Sequence, residues 1–124
     1  MANPARLGRY GEQLAVRHLQ RSGFVVLARN WRPAGVDLRG ELDIVADEAG
    51  VLVVCEVKTR RGEQTGGPLA GVTPRKYGQL RRLAASYLAS ADRHWEQVRF
   101  DAVGVWWPDG GGRAQLVHLR DITS

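Results

Sequence analysis

Residues 41–58 read ELDIVADEAGVLVVCEVK, and the fold turns on them. Two β-rich runs, Glu41–Asp47 and Val51–Lys58, flank Glu48-Ala49-Gly50, which is the pattern of a hairpin. A turn that pairs Ala46 with Val51 sets Val45 opposite Leu52, Asp43 opposite Val54 and Glu41 opposite Glu56. Opposed residues share a face. One face then carries Val45, Leu52 and Val54 near the turn, with Glu41, Asp43, Glu56 and Lys58 at the open end. The other face, Leu42, Ile44, Ala46, Val53, Cys55 and Val57, is apolar throughout.

A hairpin lying on solvent alternates polar and apolar along its whole length. This one is apolar on both faces near the turn and charged on one face only at its open end, as expected of central strands running into a cleft. Like charges placed directly opposite each other are destabilising, so something positive belongs among these acids. Lys58 supplies part of it, and a hard divalent cation with oxygen ligands can supply the rest. Diagonal strand neighbours lie about 7–8 Å apart, so the carboxylates of Asp43 and Glu56 can converge on one Mg²⁺ or Mn²⁺ at metal–oxygen distances of about 2.1 Å. Spacing alone leaves a second reading open: an exposed sheet edge decorated with acids and one lysine.

Working outward, Leu7, Tyr10, Gly11, Leu14, Ala15, His18 and Leu19 recur at helical spacing, predicting a helix from about Ala5 to Arg21 that opens at Asn3-Pro4 and closes at Ser22-Gly23. Phe24–Asn30 reads as a strand, followed by a Pro33–Gly40 loop. Thr59–Val72, with four glycines and Pro68, reads as a loop. Thr73-Pro74 caps a second helix with the stripe Tyr77, Leu80, Ala84, Tyr87, Leu88 and Ala91. Strands at about Val98–Trp107 and Ala114–Leu119 complete the chain, joined by a Pro108–Gly112 turn. The order α-β-β-β-α-β-β is that of an α/β domain with a mixed central sheet flanked by helices.

The 124 residues fit one domain spanning 1–124. Hydrophobic residues at 44% and charged residues at 25% exclude disorder and a coiled coil. A net charge of +5 fits a polyanionic partner and equally a protein made basic for solubility. The lone Cys55 rules out an internal disulfide and a cysteine-based zinc site. With no signal-peptide pattern and no apolar run long enough to span a bilayer, a cytoplasmic protein without a membrane partner is expected.

Arg60, Arg61, Arg75, Lys76, Arg81 and Arg82 cluster after Lys58 and along the second helix; Arg60, Arg61, Arg75, Lys76 and Arg82 are the residues expected to follow a phosphate backbone, a solvated helix face being the alternative. Among the tryptophans, Trp31, in a loop beside Arg29 and Arg32, is the expected base-stacking residue, whereas Trp106 or Trp107 belongs to the core. His18, His94 and His118 have no metal-ligand spacing and are expected to be structural or surface residues. Arg99 and Asp101, either side of Phe100, are expected to form an ion pair. Gly8 and Gly11 weaken a helix, suggesting close approach of a strand or phosphate backbone, or fraying. Glu12, at the border of the first helix's apolar stripe, is by itself a surface acid within reach of Arg9.

Asp43 followed by Glu56-Val57-Lys58 resembles the D…ExK signature of the restriction-endonuclease-like nuclease superfamily. More narrowly, Gly8-Arg-Tyr-Gly-Glu12, Gly40-Glu-Leu-Asp43, Cys55-Glu-Val-Lys58, Lys76 after Pro74 and Arg99-Phe-Asp101 resemble the bacterial YraN-like family, related to archaeal Holliday junction resolvases. The resemblance implies a restriction-endonuclease-like fold and a metal-dependent nuclease acting on DNA. It implies that Asp43, Glu56 and the Val57 carbonyl bind Mg²⁺ or Mn²⁺, that Lys58 is the catalytic lysine, and that Glu12 completes the acidic site. A homodimer is expected by analogy with the resolvases, which work as pairs. Some relatives carry Gln-x-x-x-Tyr in the second helix; here Gln79 is followed by Leu83, a departure that weakens a catalytic part for Gln79. A non-catalytic nucleic-acid-binding module and an adaptor protein using the Gly-rich loop are the alternatives.

Overall fold

The computed structural model describes residues 4–35, 38–62 and 72–123, residues 4 and 5 by backbone only. The element order is α1 (Pro4–Arg21), β1 (Val25–Trp31), β2 (Leu42–Glu48), β3 (Val51–Arg61), α2 (Pro74–Ser90), β4 (Val98–Trp107) and β5 (Gln115–Leu119). The strands form one sheet in the order β1-β2-β3-β4-β5. All neighbours are antiparallel except β3 and β4, which run parallel from Leu52–Val98 to Arg61–Trp107. A parallel pair needs a long crossover, and the segment holding α2 supplies it. This is the mixed-sheet α/β architecture that the sequence pattern and the resemblance both lead to.

The hairpin forms, but two residues out of the expected register. Ala49 and Gly50 both have positive φ, 51° and 89°, so the turn is a two-residue one of the kind whose twist matches the strands it joins. Asp47 Oδ1 accepts the Gly50 N–H at 3.1 Å. Glu48 therefore pairs with Val51, Val45 with Val54, and Ile44 with Cys55. A two-residue shift keeps the paired side chains on their expected faces, but it changes which acids meet. Continued one step past the last pair, this register sets Asp43, not Glu41, beside Glu56.

Each face of the sheet is covered by one helix. Ala15, Val16 and Leu19 of α1 pack on Ile44, Ala46, Val53, Cys55, Val103 and Val105. Leu80, Leu83 and Ala84 of α2 pack on Val45, Leu52, Val54 and Phe100, and Leu42 joins this cluster instead of following Ile44. Gly11 lets α1 sit close to β3, since a Cβ there would strike the Thr59 side chain; at Gly8 a Cβ would meet nothing.

Two local expectations fail. Thr59–Arg61 are not loop: β3 continues to Arg61 because β4 pairs with it all the way to Trp107, and Gly62 N–H then donates to the Trp107 carbonyl at 2.7 Å. The glycine-rich remainder, residues 63–71, lies outside the described residues, as does Asn3. Trp31 is not a loop residue either. It ends β1 and packs edge-on against Tyr87, ring centroids 5.3 Å apart, in the α2-side cluster. Among the described residues no helix is long and apolar enough to cross a membrane.

Asp101 anchors the far side of the sheet. It is fully buried on β4, and all its charge is answered: Arg99 donates to both oxygens at 2.8 and 3.0 Å, His118 approaches at 2.8 Å and the Asp121 N–H at 3.0 Å. His118 Nδ1 lies 3.0 Å from His18 Nε2, tying α1 to β5. The hydrogen bonds from Arg99, His118 and Asp121 hold the Asp101 carboxyl well below the ordinary range despite its burial.

Candidate functional site: an acidic cluster at the open end of the hairpin

Beyond the last paired residues, Ile44 and Cys55, β2 and β3 carry Asp43 and Glu56 side by side. Asp43 Oδ2 accepts the Val57 N–H at 2.9 Å, so this carboxylate takes a donor that would otherwise belong to the ladder. In an antiparallel ladder a residue turns its N–H and C=O to the same neighbour, which puts the Val57 carbonyl on the Asp43 side of β3. Glu56 is 5% exposed. Its Oε1 has two cations at ion-pair distance, Lys58 Nζ at 3.9 Å and Lys76 Nζ at 3.8 Å. Its Oε2 is buried and has no hydrogen-bond partner among the described residues. An unpaired buried polar atom costs about 1–3 kcal/mol, so this position is not a neutral structural choice.

Electrostatics agree. Burial, then the Glu56 charge, pushes Asp43 up to about 7, against the Val57 hydrogen bond, with Glu12 and Glu41 adding to the rise. Glu56 is also raised, by burial above all, against the pull of Lys76 and Lys58. Two neighbouring carboxylates that both resist ionisation mark a place built to receive positive charge.

Glu12 reaches the rim from α1. It does not depend on Arg9: Asn30 Nδ2 donates to Glu12 Oε1 at 2.7 Å and to Glu41 Oε1 at 3.4 Å, while Arg32 Nε holds Glu41 Oε2 at 3.0 Å. Asn30 escaped the sequence reading. It has positive φ, 48°, near the end of β1, a conformation that asparagine tolerates better than most residues; an Asn closing a strand was the only available signal.

The expected basic row divides. Arg75, Lys76 and Arg82 of α2 line a cleft of about 450 Å³ with Arg39 and Gln79, and Lys76 turns into the acidic cluster. Gln79 donates to the Arg39 carbonyl at 3.0 Å and lies so close to Gly40, itself at φ 106°, that a Cβ there would meet it. Its visible work is to hold the chain leading into β2. Arg60 and Arg61 are exposed at the end of β3, and Arg61 lines a different cavity beside α1. Cys55 is buried on the opposite face, as expected, and burial pushes its thiol up. Among the described residues no three or more His, Cys, Asp and Glu side chains form a closed metal-binding group; the arrangement is two carboxylates and a main-chain carbonyl, with Glu12 and Glu41 at the margin.

Fold and site together define an α/β protein with a mixed five-stranded sheet whose central hairpin ends in an acid–lysine cluster. Residues 11–105 match the model of a family described as Uncharacterised protein family UPF0102. Similar proteins include a UPF0102 protein of Mycolicibacterium smegmatis, 50% identical over 123 residues that cover 95% of this chain and 93% of that one. One from Streptomyces coelicolor is 50% identical over 117 residues, 94% and 87% of the two chains, and one from Acidothermus cellulolyticus 49% over 109 residues, 80% of each. The chain belongs to the UPF0102 family.

Proposed function

We propose that this protein is a nuclease that hydrolyses DNA phosphodiester bonds with Mg²⁺ or Mn²⁺ held by Asp43, Glu56 and the Val57 main-chain carbonyl. One observation carries the reading: a buried carboxylate oxygen, Glu56 Oε2, with no hydrogen-bond partner among the described residues, beside a second carboxylate raised to about 7. The donor set suits these ions. It is all oxygen, and a site with only two carboxylates is what Mg²⁺, which keeps several of its waters, commonly uses. Such an ion, when bound, polarises a phosphoryl oxygen and lowers the pKa of an attacking water. The chain's own residues do the rest. The Val57 N–H orients Asp43. Lys58, from the same strand as Glu56, stabilises negative charge developing on the phosphate, and Lys76 adds a second ammonium from α2. Glu12, held by Asn30, adds acid at the rim. Arg39, Arg75 and Arg82 beside the cluster contact flanking phosphates, while the exposed Arg60 and Arg61 add positive charge at the end of β3. The D…ExK resemblance supports the same assignment.

Calorimetry with Mn²⁺ tests the site without a substrate: wild type binds, and Asp43→Asn does not. Asp43→Ala or Lys58→Ala abolishes cleavage while leaving the fold and most DNA affinity in place. Absence of Mn²⁺ binding, together with no cleavage of linear, single-stranded or branched DNA or RNA in Mg²⁺ or Mn²⁺, overturns the proposal. A second reading, a nucleic-acid-binding module without catalysis, is favoured by the two lysines already within 4 Å of Glu56, which give the acid its own countercharge. It predicts binding that weakens steeply with salt and ignores divalent ions.

A further inference from the structure

Trp31 and Trp95 pack in the α2-side core; on the other face of the sheet the half-exposed Tyr10 stands beside Trp107, which is partly buried against the α1-side core. Tyr10 of α1 and Trp107 at the end of β4 meet with ring centroids 5.7 Å apart and planes 38° apart, an open wedge and not a closed stack. Tyr10 is 51% exposed. The pair lines a cavity of about 460 Å³ with Arg6 and Arg61, and on its other side borders a second of about 730 Å³ carrying Arg17 and Arg113. Among the described residues, Asp109 is the only acid lining either cavity.

We propose that this groove binds an unpaired segment of single-stranded DNA, with one base stacked on Tyr10 and Trp107 and the flanking phosphates on the surrounding arginines. The inference deepens the nuclease reading and rests on it for the choice of DNA. Arginines around an exposed aromatic pair are the combination that single-strand binders use, charge tracking the backbone and rings taking the bases. The first cavity is of a size that takes a small organic ring system. Arg61 stands five residues beyond Glu56 on the same extended strand, about 17 Å along it at 3.3 Å per residue, and this odd spacing turns its side chain to the opposite face of the sheet, so a strand lying in the groove reaches the acids by passing round the end of β3. A paired base presents no free face to the wedge, so the site selects single strand over duplex.

The test is fluorescence anisotropy with fluorescein-labelled oligothymidine and a duplex of equal length, in chelator so that neither metal nor cleavage takes part. Tyr10→Ala, at a half-exposed position, is expected to weaken single-strand binding by about tenfold, within the range for one lost base stack, with duplex binding unchanged; Tyr10→Phe restores it. Arg61→Ala is expected to lower the salt slope for the single strand by about 0.7. Equal loss on both DNAs, no loss from Tyr10→Ala, no binding by the wild type, or preference for oligouridine over oligothymidine overturns the proposal. Mn²⁺ calorimetry on Tyr10→Ala separates the two readings: binding retained there leaves the acidic site standing whatever the stacking result.

Discussion

Asp101 and the Asp43–Glu56 pair lie in the same sheet, with Cys55, the neighbour of Glu56, registered against Asp101. Both centres bury carboxylates, and they do so in opposite ways. Around Asp101 every demand is met, by a bidentate arginine, a histidine and a backbone N–H, and the charge is comfortable. Around Asp43 and Glu56 acids crowd one another, the lysines stand off at nearly 4 Å, and one oxygen has nothing. Saturated buried charge is settled within the fold, whereas unsaturated buried charge is retained at a cost, as the proposed metal site requires.

The largest effect that can break this contrast is at the saturated centre. Asp101→Ala strands His118, leaves Arg99 with Glu48 alone, and is expected to lower unfolding free energy by about 3–5 kcal/mol, read by chemical denaturation. Asp43→Asn should do the reverse. A carboxyl raised from 3.8 to about 7 in the fold disfavours folding once ionised, so the wild type loses stability relative to this variant as pH rises from about 4 to 7. In chelator at pH 8 Asp43→Asn is expected to be the more stable, by about 1 kcal/mol or more; a lower Tm would remove the contrast. Gly11→Ala drives a Cβ into Thr59 and is expected to cost about 1–3 kcal/mol and to pull Glu12 from Asn30, with Thr59→Ala recovering part of it. The smallest effect is at His18, whose pKa is lowered by burial and by the His118 and Arg120 charges. Its neutral form suits the fold, so stability is full above the unfolded value of 6.5 and falls as pH drops below it; His18→Gln should flatten that limb of the stability profile.

Much of this was legible because it is periodic. The α1 stripe, the Thr73-Pro74 cap and the β4 limits follow from 3.6- and 2-residue patterns, and Asp43, Glu56 and Lys58 share a face under any even register. The partners were not legible. Glu48-Ala-Gly50 suits a two- or a three-residue turn, and only the left-handed Ala49 decides which acid faces Glu56. Lys76 is a helix-surface residue until α2 is docked. His18 and His118 are 100 residues apart, and no local rule pairs them. Trp31 looked like loop because the bulge between Val26 and Ala28, which resets which side chains face α2, leaves no mark in the pattern.

The turn at Ala49-Gly50 acts as a length gauge for the acidic cluster at the far end of the hairpin. One residue added there would exchange the two sides of β2 relative to β3, sending Asp43 toward α1 and Ile44 toward the acids. Two added residues would keep the sides but slide Asp43 past its neighbour. A change in loop length, usually tolerated at a protein's surface, would therefore dismantle the acidic cluster from the opposite end of the hairpin.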